Sequence, residues 1–335
     1  MKQSILVHKV AGAVACALLL AFTSIAAVAQ TVIATIPAQN GVFGFPMTIA
    51  VNPFTRLFYI VGNGVEVLDQ RTNEPVTTFS VGQDELLASA INPVTRKLYV
   101  ADFNTGVYII DVTSNTIVGQ FSLAVVRGMT YNPINNLIYA LDNYENVWVL
   151  DGTTGALVKE IAAPANTYAG YSITINPATN ELYVPLTAPP GVPYSMYVVN
   201  AVTDATTTVT LQGSPGFVEV DPLRNIVYVS EATSQGGQVE VMNGATNTDI
   251  AIVTSIPALP ENFSVDPLTR RLYLADANGD VYVIDGTTNT LTSTVVPVGT
   301  NPIYTTLDPV HGLLYVGNTS LYQPGTPSVS VISLR

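Results

Sequence analysis

The chain has 335 residues, a formal net charge of −12 and only 11% charged residues. Its 12 Lys+Arg are outnumbered by 24 Asp+Glu and are scattered along the sequence, so it lacks the basic cluster that a phosphate backbone requires, and nucleic acid is excluded as a partner. The single cysteine, Cys16, falls in the N-terminal apolar run, so the rest of the chain has no thiol for a disulfide, a cysteine metal site, covalent haem or a cysteine nucleophile.

The first residues carry Lys2, His8 and Lys9, then an apolar run from Val10 to Phe22, then Ala26-Ala27-Val28-Ala29-Gln30. That order is the pattern of a secretory signal peptide over residues 1–29, cut after Ala29. The run is short for a bilayer span, and no later segment could cross as a helix, so the exported chain is not expected to span a membrane. Lys2 and Lys9 leave with the leader and no acid does, which takes Lys+Arg from 12 to 10 and the net charge from −12 to −14.

Beyond the leader, Asn-Pro or Asp-Pro is followed seven residues later by Tyr, seven times over. The pairs start at Asn52, Asn92, Asn132, Asn176, Asp221, Asp266 and Asp308, spaced 40 to 45 residues apart. Each unit predicts four short strands. The first precedes the turn, as in Met47 to Val51 or Phe217 to Val220, and the Asn/Asp-Pro pair then reverses the chain. A second strand carries the tyrosine, as in Lys97-Leu98-Tyr99-Val100, and a third reads Val65 to Asp69, Val107 to Asp111, Val147 to Asp151 or Val281 to Asp285. A Thr-rich turn and a fourth strand follow, as at Thr287 to Leu291.

Sheets of this size cannot bury their faces alone, so neighbours must pack radially. The seventh unit reaches Arg335 directly after its third strand, Val329 to Ile332, and lacks a fourth. Thr31 to Pro37 has the character of a fourth strand but precedes the first complete unit. Pairing it with Val329 to Ile332 closes a ring. The expected fold is an all-β, seven-bladed propeller of four-stranded antiparallel blades, a single domain over residues 30–335 closed by the N-terminal strand.

The strings Asn-Pro-Val-Thr-Arg-Lys-Leu-Tyr-Val-Ala-Asp from Asn92 and Val-Tyr-Val-Ile-Asp-Gly-Thr-Thr-Asn from Val281 resemble the YVTN β-propeller repeat family, and the resemblance covers residues 31–335. It is weakest in the fourth and seventh units, with longer loops at Leu186 to Ser195 and Thr319 to Pro327. The resemblance implies export, to the periplasm or cell surface, as in surface-layer and periplasmic propellers. Similar seven-bladed rings also serve as lactonases and lyases, so it implies no single activity.

After the leader the chain has one histidine, His311, placed in the seventh turn and read as a solvated turn residue. There is no Gly-x-Ser-x-Gly, phosphate-loop or dinucleotide motif, and no catalytic residue is assigned. One tyrosine per unit at a fixed strand position points to packing, so departures from the repeat are better guides to a site.

In this repeat family the residues two and four before each Asn/Asp-Pro turn face the central channel. Two before stand Ala50, Ala90, Thr130, Thr174, Glu219, Ser264 and Thr306, and Glu219 alone is charged. Four before stand Thr48, Ala88, Gly128, Ser172, Phe217, Asn262 and Tyr304, with Arg127, Tyr171 and Glu261 just outside. Glu219, Arg127, Glu261, Asn262, Tyr171 and Tyr304 are therefore the candidate ligand-binding residues of a channel mouth, with an Arg127–Glu219 ion pair the plainest alternative use of the two charges.

Three after each tyrosine stand Gly62, Asp102, Asp142, Leu186, Glu231, Asp276 and Asn318. Ca²⁺ is the one ion such acids would suit, but each blade offers only one or two ligands, and the expectation is solvated strand ends with no metal and no cofactor. The favoured reading is a monomeric, exported, non-catalytic binding or scaffold protein, whose partner is a protein, an envelope component or a small molecule at the channel mouth. The alternative is a lactonase- or lyase-like enzyme using channel-mouth carboxylates, with or without a divalent metal. Accessory service to a redox system is a third.

Overall fold

A computed structural model describes residues 30–38, 47–82, 85–123, 125–164, 170–186, 191–257, 260–319 and 325–335. The predicted leader over residues 1–29 lies outside this set, as do parts of the loops after Leu186 and Thr319. Residues Gln30–Leu334 form one compact unit.

Its 28 strands make seven four-stranded antiparallel sheets, with no helix among the described residues. β1 (Thr31–Pro37) comes first in the chain. Blade one is β2 (Thr48–Asn52), β3 (Leu57–Val61), β4 (Val65–Asp69) and β5 (Pro75–Phe79), and blade two is β6 (Leu86–Asn92), β7 (Lys97–Asp102), β8 (Gly106–Asp111) and β9 (Thr116–Phe121). Blade three is β10 (Val126–Asn132), β11 (Leu137–Asp142), β12 (Val147–Asp151) and β13 (Leu157–Ile161), and blade four is β14 (Thr174–Asn176), β15 (Glu181–Leu186), β16 (Ser195–Asn200) and β17 (Thr206–Thr210). Blade five is β18 (Ser214–Asp221), β19 (Ile226–Thr233), β20 (Gly236–Asn243) and β21 (Thr248–Ile256), and blade six is β22 (Pro260–Asp266), β23 (Arg271–Asp276), β24 (Asp280–Asp285) and β25 (Thr290–Pro297). Blade seven holds β26 (Pro302–Asp308), β27 (Leu313–Asn318) and β28 (Ser328–Ser333), and β1 supplies its fourth strand. The protein is a seven-bladed β-propeller.

The repeat's chemistry explains each blade. The Asn or Asp that ends each first strand accepts the backbone N–H two residues on, at 2.9 to 3.1 Å in all seven blades, which fixes the turn. The residue four after it takes a left-handed conformation, φ 55 to 65°, in every blade. Asn136, Asn180, Asn225 and Gly312 do so readily, whereas Arg56, Arg96 and Arg270 do so at a cost of roughly 1 kcal/mol each.

Alternation along the second strand then sends side chains to two different neighbours. Phe58 and Ile60 face blade seven, while Tyr59 and Val61 face blade two. The same division recurs round the ring, giving seven apolar cores, one per blade interface, each with a repeat tyrosine in it. All seven tyrosines are buried, each contributing roughly 2 kcal/mol, and burial pushes the hydroxyls of Tyr59, Tyr228 and Tyr273 up to about 12. Their role is packing.

Closure follows the predicted pairing. Thr31 pairs with Ser333 and Pro37 with Ser328 in an antiparallel ladder, and Ile36 enters the core between blades seven and one. Phe58 and Tyr315 stack there with ring centroids 4.4 Å apart. Gln70 Nε2 donates to Asp308 Oδ2 at 2.7 Å, and Thr306 Oγ1 donates to the Ile49 carbonyl at 2.7 Å, so the last blade is bonded to the first.

Candidate functional site at the channel mouth

The innermost strands β2, β6, β10, β14, β18, β22 and β26 touch their neighbours round a closed circle. They enclose a cavity of about 190 Å³ lined by residues from every blade. All seven residues four before the turns line it: Thr48, Ala88, Gly128, Ser172, Phe217, Asn262 and Tyr304. Glu219 and Thr306 join them from the set two before, and Arg127 and Tyr171 from the rim.

Five of the six residues singled out in the sequence thus meet in one cavity, and Glu261 is the exception. The ladder between β22 and β23 slips between Pro260 and Phe263, which puts Glu261 and Asn262 in a bulge. Asn262 lines the cavity and its Oδ1 accepts from Thr305 N and Oγ1, both at 3.0 Å. Glu261 is not a lining residue. Burial, and then the charge of Asp276, raise its carboxyl above the usual range.

A bulge also presents Arg127, through a slip between Val126 and Gly128. Its guanidinium donates to Asn143 Oδ1 from Nε at 2.9 Å and Nη2 at 2.7 Å, and lies 5.2 Å from the centre of the Tyr171 ring. Among the described residues Arg127 makes no ion pair, so the alternative use of the two charges, an Arg127–Glu219 ion pair, is not found. Asn143 takes that place; it follows Asp142 in a loop where the repeat gives no signal.

Glu219 is half-buried in the channel wall, with protein on every side. It has accessible surface without the full hydration of bulk water. Desolvation pushes its carboxyl up to about 8, against a smaller lowering from a backbone hydrogen bond at Val220. Desolvation therefore favours its neutral, hydrogen-bond-donating form. Phe217 and Tyr304 meet edge to face with centroids 6.1 Å apart, adding an aromatic wall.

The acids three after the tyrosines are buried, contrary to the expectation of solvated strand ends. They close the hairpins. Asp102 Oδ1 accepts from Thr105 N at 2.9 Å and Oγ1 at 2.7 Å, and Asp142 accepts from Tyr144 N at 2.7 Å and from Trp148 Nε1 at 2.8 Å. Asp276 accepts from Asn278 N at 2.5 Å, and Asn318 donates to Ser328 and Ser330. His311 likewise is bonded, its Nδ1 2.7 Å from Asp308 Oδ2. Among the described residues no three His, Asp or Glu converge as a metal site would need.

In blade five Glu231 and Glu240, both fully buried, each carry one oxygen without a hydrogen-bond partner. Burial, then hydrogen bonding with Asp249 and Glu231, raise the carboxyl of Glu240 above its usual range. They lie away from the cavity.

This architecture has a solved counterpart. The chain is similar in fold to a chain of the hydrazine synthase of Kuenenia stuttgartiensis, with a TM-score of 0.75, 16% identity, and coverage of 88% of this chain and 97% of that one. At such identity the likeness is one of fold alone. No protein-family profile matches the chain, and no curated protein is similar to it in sequence.

Proposed function

We propose that this protein is an exported, non-catalytic binding propeller of the YVTN kind, which takes a small ligand in its channel mouth. The observation that carries the reading is Glu219: a carboxyl that makes no ion pair with Arg127 among the described residues, in a wall whose other side chains, Arg127 apart, are uncharged. A lone acid there costs desolvation that Ala or Thr would avoid, and a bound acceptor would repay it. Arg127, held by Asn143 and stacked on Tyr171, supplies a fixed positive charge at the rim, and Phe217 with Tyr304 supplies an apolar face. The ligand class this fits is a small molecule with an acceptor for Glu219, a negative group for Arg127 and a flat apolar body. The repeat and the leader pattern support the family and the export.

A thermal-shift screen of small carboxylic acids and lactones on the wild type, Glu219→Gln and Arg127→Ala tests this. Compounds should stabilise the wild type and lose that effect, by tenfold or more in affinity, in either variant. A panel that stabilises all three proteins alike, or none of them, sinks the proposal.

One observation favours the lactonase- or lyase-like alternative. A carboxyl that exchanges its proton near 8 is suited to general acid–base work. Consumption of a captured compound by the wild type but not by Glu219→Gln would move the assignment from binding to catalysis.

A further inference from the structure

The opposite end of the channel carries a second feature. Each inner strand runs from the mouth to its Asn/Asp-Pro turn, so the seven turns lie together at the far end of a closed ring. The residue after each proline is apolar in every blade and too large to be incidental in six: Phe54, Val94, Ile134, Leu223, Leu268 and Val310, with Ala178 in the fourth. These side chains are outside the cores; Phe54 is 68% exposed, Val94 74%, Ile134 67% and Leu223 63%. Isolated exposed apolar residues are ordinary, but six at one repeat position recur at the same end of a closed ring. Side chains link neighbouring turns: Asn92 to Asn136 at 2.7 Å, Asn132 to Asn180 and Asn176 to Asn225 at 2.5 Å, Arg224 to the Pro267 carbonyl at 2.7 Å.

The basic residues are scattered in sequence but gathered here. Arg56, Arg96, Lys97, Arg224, Arg270 and Arg271 all belong to these turns or the residue after them. Lys97 and Arg224 are bonded to Asp111 and Asp221, whereas Arg56, Arg96 and Arg270 are exposed and make no ion pair among the described residues. Those three occupy the left-handed position where other blades place Asn or Gly. Folding alone favours the latter, so a charge kept at strained backbone beside an apolar tip points to use of that charge. β1 also begins at this end, since Thr31 pairs with Ser333.

We propose that this face docks on a lipid surface carrying anionic headgroups, with the apolar tips entering the headgroup boundary and Arg56, Arg96 and Arg270 meeting the lipid phosphates. A ring of single apolar tips with cations between them matches a bilayer boundary, which is flat, apolar beneath and negatively charged above. The acids ending the third strands, Asp69, Asp111, Asp151 and Asp285, lie opposite the first residues of the second strands, one strand outward from the turns, and two of them, Asp69 and Asp111, are bonded to Arg71 and Lys97.

The test is co-sedimentation of the protein starting at Gln30, which covers the compact unit, with phosphatidylglycerol/phosphatidylethanolamine vesicles and with phosphatidylcholine vesicles. Binding is expected to the anionic vesicles, roughly tenfold weaker or more to the neutral ones and at high salt. A Phe54→Ser/Val94→Ser/Ile134→Ser/Leu223→Ser variant and an Arg56→Asn/Arg96→Asn/Arg270→Asn variant should each lose at least tenfold while melting no lower than the wild type, the asparagine variant higher because it relieves the left-handed arginines. Wild-type protein that ignores anionic vesicles, or variants that bind them undiminished, would overturn the proposal. So would a dimer in sedimentation velocity that the serine variant abolishes without any vesicle binding, since the face would then join two copies.

Discussion

Glu219 stands where six other blades carry Ala, Ser or Thr, and that departure was legible from the sequence because the repeat supplies its own six controls. What holds Arg127 was not legible: the residue is aimed by a bulge and bonded to Asn143, and neither the bulge nor the loop has a repeat signature. Glu240, buried in the same blade as Glu231, escaped notice for a related reason. The third-strand position of Glu240 reads Glu66, Tyr108, Trp148, Tyr197, Tyr282 and Ser330 elsewhere, so no single residue departs from a rule. The raised carboxyl of Glu219 makes a pH prediction. In the unfolded chain it releases its proton near the ordinary value of 4.5, and in the folded channel near 8, so its contribution to stability is complete below the lower value and is lost as pH rises to the upper one. Glu219→Gln cannot ionise and should gain on the wild type across that window, by roughly 2 kcal/mol at its alkaline end after allowance for solvent screening. Arg127→Ala should leave the difference in place. Urea melts at pH 5 and pH 9 measure it, and parallel profiles for wild type and Glu219→Gln would show that the carboxyl is well hydrated.

At the scale of the strand, position in the chain and position in the sheet come apart only once, at β1. It is the first strand in sequence and the outer strand of the last blade, and its prediction required nothing more than counting strands per unit. Burial along it is sparse: Ile36 is buried, Ala34 packs against the same core, and the remaining side chains are largely exposed. What it contributes is the ladder to β28 and cover for Val329 and Val331. Deleting residues 31–37 should therefore lower stability by roughly 3 kcal/mol or more, through lost apolar burial and an unpaired edge, whereas an equal deletion between β15 and β16 should cost far less. Melting temperatures of the two deletions decide it, and equal values would mean that β1 is dispensable for closure. The hairpin acids at this scale were misread as solvated because their spacing shows only that they follow the second strand. The backbone N–H groups they accept from come within reach only once the hairpin has formed.

Over the whole molecule, the seven interfaces are chemically alike, each an apolar core with one repeat tyrosine, and the ring has no free end because blade seven is bonded to blade one. The blade number and the circular order could be read from seven spaced Asn/Asp-Pro turns. That the post-proline residues and the arginines share one face could not, since that depends on all inner strands running the same way round a closed axis. In a linear array each unit is held by its neighbours and the ends fray first, so closure should even out local stability. Amide hydrogen exchange of the second strands, β3, β7, β11, β15, β19, β23 and β27, reads this directly. The intact protein should protect them to a similar degree, within about tenfold. Without residues 31–37 the core between blades seven and one is uncovered, and that contact becomes the weakest in the ring. Protection should then fall most in β3 and β27 and least in β15, which lies farthest from the opened interface. A uniform loss in all seven strands would instead mean that the blades unfold as a single unit and that closure stabilises the propeller globally.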